Sequence, residues 1–295
     1  MAKGRELKGR IKSVENTRKI TRTMEMVATS KMKRAQDRVA AARPYATALA
    51  DVMSSLYSPE LAERFPLLRQ PKQVRRAGVL VLTSNRGLAG AFNANLLKEA
   101  RALLARLDRE GVEVELHVVG RKGLGFFRYV GRTVAASRTD VTDRPSAQDA
   151  ADLVGTLMRD FTTGALDAVY VVHAKFNSAL STPPTTSQVL PVTPPASPKA
   201  AERGAVTRQR DYILAPSAEA ILTELLPSYV RNSVYRALVE TAAAEQGARR
   251  TAMKSATDNA TDMLNVLKRT YNRARQAQIT QEIAEIVGGA AALQG

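Results

Sequence analysis

Arg231-Asn-Ser-Val-Tyr-Arg-Ala-Leu-Val-Glu-Thr-Ala-Ala-Ala-Glu-Gln-Gly-Ala-Arg-Arg is the centre of a long run, Ser217 to Ala291, in which Pro227 is the only proline. The run predicts one continuous helix. At 1.5 Å per residue it would be on the order of 110 Å long, which exceeds the diameter of a small domain. Such a helix must pack against a second long helix, against partner subunits, or against both.

The composition limits the classes of protein and site that need considering. A chain of 295 residues, 44% hydrophobic and 24% charged, suffices for two domains or for one domain with an extended element. No apolar run is long enough to span a bilayer, and the charged start after Met1 predicts no leader and a cytosolic protein. The absence of cysteine excludes disulfides, zinc-thiolate sites and thiol catalysis, and His117 and His173 are too few for a histidine metal cluster.

The chain is strongly basic, with a formal net charge of +16 and a pI near 10.3. Such a surface attracts an anionic partner, whether nucleic acid, acidic lipid or an acidic protein. The excess is concentrated at the start, where Met1–Arg43 carries 13 Lys and Arg residues against 4 Asp and Glu residues. Charge alone does not choose among these partners.

The N-terminal arm has a heptad pattern, which predicts a helix that pairs with another helix. Only Arg18 and Glu25 interrupt the pattern. Pro44 is expected to bend the helix or to remove one of its hydrogen bonds. The helix is expected to end before Ser58. A coiled-coil homodimer and a basic nucleic-acid-binding region remain alternatives, although no aromatic residues are interleaved for base stacking. The seam positions are Leu7, Ile11, Val14, Thr21, Ala28, Met32, Ala35, Val39, Ala42, Ala46, Leu49, Met53 and Leu56.

The middle of the chain alternates predicted strands with predicted helices, which indicates a doubly wound, mostly parallel sheet. Prolines between Thr182 and Lys199 favour an edge strand followed by a surface loop, and Gly204–Leu214 is predicted to return as a last strand. The predicted strands are 79–83, 112–120 and 166–173, and the predicted helices are 91–109, 122–129 and 146–162.

A glycine-containing turn, Ser84-Asn-Arg-Gly-Leu-Ala-Gly-Ala, follows the first strand at the position where nucleotide folds bind phosphate. Gly87 and Gly90 do not complete a dinucleotide or P-loop motif, so we expect no nucleotide there. His117 and His173 lie in apolar strands, where a structural role is expected, and no pair of carboxylates is placed for acid–base or metal chemistry. The residues therefore predict no catalysis and no cofactor.

Three segments give the chain a close resemblance to the gamma subunits of F-type ATP synthases. They are Arg10-Ile-Lys-Ser-Val-Glu-Asn-Thr-Arg-Lys-Ile-Thr-Arg-Thr-Met-Glu-Met-Val-Ala-Thr-Ser-Lys-Met, Ser84-Asn-Arg-Gly-Leu-Ala-Gly-Ala-Phe-Asn and Ile279-Thr-Gln-Glu-Ile-Ala-Glu-Ile-Val-Gly-Gly-Ala-Ala-Ala. The resemblance implies a long antiparallel coiled coil of the N- and C-terminal helices plus a central Rossmann-like α/β domain. The expected boundaries are 1–58 and 215–295 for the two shaft helices and 75–214 for the domain.

The resemblance also implies a function and a set of partners. The chain would be the rotor shaft of a bacterial, proton-translocating ATP synthase, and it would transmit torque and regulate ATPase activity and proton flow. Its partners would be the alpha and beta subunits around the shaft, the epsilon subunit and the membrane c-ring, with no nucleic acid and no membrane insertion. The complex would lie at the cytoplasmic face of the cell membrane, and catalysis would occur in the beta subunits.

Five positions match family residues that contact beta subunits, namely Met24, Arg275, Gln276, Thr280 and Glu282. A positive charge at Met24 is expected to add an ion pair and hamper coupling. Ala215 stands where many relatives have a glutamate, and the cysteine-bearing insertion of chloroplast relatives is absent. Ile279–Ala292, with Gly288 and Gly289, would be the tip of the shaft in its bearing. The residues alone leave open a basic coiled-coil nucleic-acid-binding protein or a nucleotide-dependent enzyme.

Overall fold

The computed structural model describes residues 2–56, 64–178, 181–193 and 217–293, without the side chains of residues 2–4, 55 and 291–293. The chain forms two compact units. The shaft unit consists of Met1–Ala28 and Arg249–Gly295, and the domain unit is Thr29–Ala248. The predicted strand Gly204–Leu214 lies outside the described residues, as does Ala215, the position at which many relatives have a glutamate.

The N-terminal helix α1, Ala2–Leu56, follows the predicted heptad pattern. Every predicted seam side chain is buried or half-buried, and Arg18 and Glu25 are half-buried as well. Pro44 is exposed and α1 continues through it, so the bend or lost hydrogen bond predicted at this residue does not end the helix. Alanine and threonine occupy many seam positions, which lets a second helix approach closely.

Five strands form one sheet in the order β3-β2-β1-β4-β5. The first four pair in parallel, which confirms the predicted doubly wound arrangement, and β5 pairs antiparallel with β4 at the edge. This edge position confirms the edge strand predicted from the prolines, because an edge strand needs fewer backbone donors; the predicted surface loop beyond residue 193 lies outside the described residues. The strands are β1, Arg76–Leu82; β2, Glu113–Val119; β3, Ala136–Arg138; β4, Ala168–Ala174; and β5, Pro184–Leu190.

The connecting helices are α2, Phe92–Arg109; α3, Arg121–Tyr129; and α4, Ala147–Thr162. All three were predicted within one residue at each end. The start of α4 has a capping box, in which Asp149 N donates to Ser146 Oγ and Ser146 N donates to the Asp149 carboxylate. A short 3-10 turn, Pro66–Leu68, precedes the sheet.

The two faces of the sheet are buried in two hydrophobic cores. Along β1, Leu80 and Leu82 belong to one core with α4, whereas Val79 and Val81 belong to the other with α2. This alternation follows from the two-residue period of a strand, and burial on both faces explains why the parallel strands are rich in valine and leucine.

The C-terminal helix α5, Ala218–Leu293, confirms the long helix predicted from the sequence. Within the domain unit α1 and α5 run antiparallel, because their order in the two cores is reversed. Ala35 and Val39 share a core with Val239 and Ala243, whereas Met53 and Leu56, later in α1, share a core with residues 222–238, earlier in α5.

Candidate partner-binding surface

The shaft unit has a heptad seam on each of its two helices. On α1 the seam runs from Leu7 to Ala28, and on α5 the buried or half-buried positions repeat at intervals of three and four residues. This second pattern is absent from the predictions made above, although its spacing is a readable signal in the sequence. The α5 seam consists of Met253, Thr257, Ala260, Leu264, Leu267, Tyr271, Ala274 and Gln278.

A hydroxyl pair fixes the alignment of the two helices. Thr257 Oγ1 donates to Thr21 Oγ1 at 2.8 Å, and Thr21 Oγ1 in turn donates to Arg18 O at 3.1 Å. Because the partners lie on different helices, this bond defines which turn of α1 faces which turn of α5. A polar pair in a seam of small residues is a typical means of specifying register.

Large apolar side chains remain exposed on the outside of the paired segments. Ile20, Met26 and Val27 on α1 and Met263 and Val266 on α5 are each exposed by half or more of their area. Scattered exposed apolar residues are ordinary on a protein surface, but several on one slender pair of helices indicate contact with partners.

The end of α5 has a different character, because every side chain from Ile279 to Ala290 is exposed. Ile279, Ile283, Ile286 and Val287 lie on one face of this segment, since their spacing follows the helical repeat. Nothing lies within 4 Å of the position of an added Cβ at Gly288 or Gly289. We call Ile279–Ala290 the exposed tip; its apolar stripe lacks a partner among the described residues.

The predicted contact residues occupy two separate places on the shaft unit. Arg275, Gln276, Thr280 and Glu282 are exposed within two turns of α5, and Gln278 Nε2 donates to Glu282 Oε1 at 2.9 Å. At 100° per residue, Arg275 and Glu282 lie along one edge of the apolar stripe, and Gln276 and Thr280 lie along the other.

Met24 is not close to these four residues. It is half-buried beside the seam of α1, one turn after Thr21. The Thr21–Thr257 bond places Met24 opposite about residue 254, and 21 residues of helix separate that position from Arg275, or about 30 Å. The five predicted positions therefore form two candidate contacts, one on the body of the shaft and one next to the tip.

The electrostatics of the shaft unit favour an acidic partner. Its sequence has 15 Lys and Arg residues against 7 Asp and Glu residues. Ion pairs such as Arg10–Glu6 at 2.8 Å and Lys254–Asp258 at 3.7 Å join residues one turn apart on the surface, where such pairs stabilise little. Because the basic residues outnumber the acidic ones by 15 to 7, the shaft unit keeps a net positive charge that attracts an anionic surface.

The glycine-containing turn of the domain unit has a structural explanation. The first amides of α3 donate to this turn and to the residue before it: Arg121 N to Asn85 Oδ1 at 3.0 Å, Lys122 N to Ser84 O at 3.1 Å and Gly123 N to Thr83 Oγ1 at 2.9 Å. These amides would otherwise be available to an anion. The expectation that no nucleotide binds here stays a prediction.

The two histidines lie in strands, as predicted, and are buried. His117 Nε2 is 2.8 Å from Glu115 Oε1, and His173 Nε2 is 3.0 Å from Ser187 Oγ. Burial lowers the pKa of His173, although the negative charge of Glu240 opposes this shift. Among the described residues there is no group of three or more side chains suited to a metal ion, and no helix there is long and apolar enough to cross a membrane.

Comparison with known proteins gives consistent results across the whole chain. A family model described as ATP synthase matches residues 3–293. The ATP synthase gamma chain of Gemmatimonas aurantiaca is 70% identical over 295 residues and covers 100% of both chains.

Two solved structures share the fold. One is the rotor of the Euglena gracilis mitochondrial ATP synthase, with a TM-score of 0.66, 20% identity, and coverage of 94% of this chain and 99% of that chain. A chain from the OSCP/F1/c-ring structure of the same enzyme gives a TM-score of 0.65 at 20% identity and covers 99% of this chain and 95% of that one.

Proposed function

The chain belongs to the ATP synthase gamma-chain family, and from this premise we propose that it is the rotor shaft that transmits torque between the membrane c-ring and the catalytic alpha/beta hexamer. The observation that carries the proposal is the exposed tip of α5. An apolar stripe at the end of a paired-helix shaft requires a surrounding apolar surface, and a ring of subunits provides one.

Rotation of an asymmetric shaft offers a mechanism for this role. A shaft can change the state of a surrounding catalytic site only if it contacts the alternative conformations of that site differently. The exposed large apolar side chains of the shaft unit are grouped unevenly along its two helices, at Ile20–Val27, at Met263–Val266 and in the tip. Turning this surface would bring different contacts to each surrounding site in succession, and this is also how the chain would regulate ATPase activity and proton flow.

The proposed contacts with the beta subunits involve two places. Met24 would contact a beta subunit along the body of the shaft, and Arg275, Gln276, Thr280 and Glu282 would contact beta subunits beside the tip. The basic charge of the shaft unit suits acidic loops on these partners. The exposure of the four α5 side chains supports the second contact, because it leaves their polar groups accessible.

In this proposal the chain does no bond chemistry and has no cofactor. Catalysis would take place in the beta subunits, while the epsilon subunit and the c-ring would bind the domain end of the chain. The complex would be peripheral to the cytoplasmic face of a bacterial cell membrane. Bacterial relatives support this location, and the incomplete phosphate-binding motif at Gly87 and Gly90 supports the absence of nucleotide chemistry.

Reconstitution tests the proposal directly. The purified chain alone is expected to hydrolyse no ATP, and mixing it with bacterial alpha and beta subunits is expected to give a stable, active ATPase. Failure to associate with these subunits would contradict the proposal. Binding to DNA that persists at moderate salt would instead favour the nucleic-acid-binding alternative.

Variants separate the proposed contacts from the remaining surface. Arg275→Ala combined with Glu282→Ala should lower the ATPase activity of the reconstituted complex, whereas Arg109→Ala, which removes an exposed charge at the end of α2, should not. Met24→Lys should lower the amount of proton pumping per ATP hydrolysed. Equal behaviour of all three variants and the unmodified chain would reject the assignment of these contacts.

A further inference from the structure

The carboxyl end of β4 extends beyond its neighbour β1. The last pair of the β1–β4 register is Val81 with Val172. Beyond it, successive backbone amides point to alternate sides of the strand. Lys175 N donates to Pro183 O at 3.0 Å, on the side of β5. The amides of Ala174 and Phe176 therefore face the other side, where β1 has ended.

Helix α5 provides acceptors for these two amides. Ala174 N donates to Thr241 Oγ1 at 3.2 Å, and Phe176 N donates to Glu240 Oε2 at 3.4 Å. Glu240 and Thr241 are 8% and 6% exposed. Two consecutive side chains of the helix thus occupy the place of a strand neighbour, and without them two buried amides would lose their acceptors.

This contact lies at a special place in the sheet. From β1 the chain proceeds to β2 and β3 on one side and then returns to β4 on the other. The carboxyl ends of β1 and β4 therefore border the switch point, where doubly wound folds bind ligands. In this chain, the carboxylate of Glu240 and the hydroxyl of Thr241 lie at the switch point next to β4, where a ligand would lie in such folds.

The buried carboxylate is held by neighbouring groups. Arg236 Nη2, one turn earlier in α5, is 3.3 Å from Glu240 Oε1. Together with Phe176 N, this guanidinium engages both carboxylate oxygens. A carboxylate with two partners has a defined orientation, which is what a positioning role requires.

We propose that Glu240 and Thr241 form a mechanical joint, which fixes α5 to the sheet and passes torque from the α/β domain into the shaft helix. This inference rests on the proposed rotor function. Apolar packing is non-directional, whereas hydrogen bonds to the amides of a strand depend on distance and angle. The joint therefore fixes α5 both along and around its axis at this point, and α5 continues without interruption to Leu293.

The test uses the assembled ATP synthase with the double variant Glu240→Ala/Thr241→Val. The alpha/beta complex of this variant should hydrolyse ATP at the rate of the unmodified complex, because no load passes through the α/β domain. ATP-driven proton pumping in membranes should be lost or reduced, because the shaft would turn relative to the domain under load. Glu240→Gln keeps an oxygen acceptor and should retain pumping, and Thr223→Val is a matched control at an exposed threonine of α5.

Hydrogen exchange provides a second readout that does not depend on assembly. In the full-length free chain, loss of the acceptors should make the Ala174 and Phe176 amides exchange about five- to tenfold faster, the factor expected for one hydrogen bond. Exchange equal to that of the unmodified chain and of Thr223→Val would overturn the joint, as would full proton pumping by the double variant. Failure of the unmodified chain to support pumping would instead reject the rotor function itself.

Discussion

Two segments of α5 show how differently one helix can be used. From Ala237 to Ala244 every residue is buried, although the segment contains Glu240 and Thr241. From Ile279 to Ala290 every residue is exposed, although this segment contains three isoleucines and a valine. A carboxylate and a hydroxyl thus lie inside in the first segment, whereas four large apolar side chains lie outside in the second. In a helix that passes through several environments, side-chain hydrophobicity reflects the partner of each segment, which for the second segment would be another subunit under the proposed function.

The largest effect is expected from placing the same charge in the two environments. Val234→Asp would put a carboxylate at a fully buried position of α5 and should lower the free energy of unfolding by about 3–4 kcal/mol, because a buried charge without a partner is strongly unfavourable. The matched substitution Val287→Asp, at a position 62% exposed, should change it by about 0.5 kcal/mol or less. Chemical denaturation measures both, and equal losses would remove the contrast.

A bulky substitution at the tip should affect the complex rather than the chain. Ala290 is exposed, so Ala290→Trp should leave the unfolding transition unchanged. In the reconstituted complex it should lower ATPase turnover by about tenfold, which corresponds to about 1.4 kcal/mol of additional barrier from a clash with the enclosing subunits. Full turnover would show that the tip is not enclosed.

The pH dependence of stability should come partly from the buried end of β4. Burial lowers the pKa of His173 in the folded chain below its ordinary value of 6.5. As the pH falls below about 6.5, the unfolded chain therefore binds more protons than the folded chain does. The free energy of unfolding should therefore fall as the pH drops from about 6.5 through the folded-state pKa. His173→Gln should reduce this slope in denaturation experiments at several pH values, and an unchanged slope would assign it to other groups.

The smallest effect is expected from strengthening the exposed tip. Gly288 is in the helix with open space around it, so Gly288→Ala should raise local helix stability by up to about 1 kcal/mol. Amide exchange of the neighbouring residues should slow, while the global unfolding transition stays in place. A shift of the global transition would show that the tip unfolds together with the rest of the chain.

The elements with strong periodicity were predictable from the sequence. The seam of α1 followed from its heptads, and β1, β2 and β4 followed from runs of β-branched residues. Strand β3 was missed because Ala136–Arg138 has three residues and no alternation, and it exists only through its pairing with β2. The burial of Glu240 could not be predicted from the sequence. Its side chain accepts a hydrogen bond from the amide of Phe176, just beyond β4, which is free because β1 ends earlier, and β1 is distant from Glu240 in the sequence.

The candidate contacts have a different origin. Helical periodicity alone assigns Arg275, Gln276, Thr280 and Glu282 to an ordinary solvated surface, and only the family resemblance singles them out. The spacing of Ile279, Ile283, Ile286 and Val287 was a signal of the missing partner in the sequence itself. It became interpretable once the structure showed that this whole segment is exposed.

The exposed tip also has a consequence for the lifetime of the chain in a cell. A helix of 12 to 15 residues without tertiary packing is only marginally stable in water, so these turns open most readily in the free chain. Proteases act on such transiently open segments, and the apolar residues within them are also available to chaperones. In a chain that its partners enclose, neither proteases nor chaperones can reach this segment. The same feature would then let degradation distinguish surplus copies from assembled ones and keep their number matched to that of their partners.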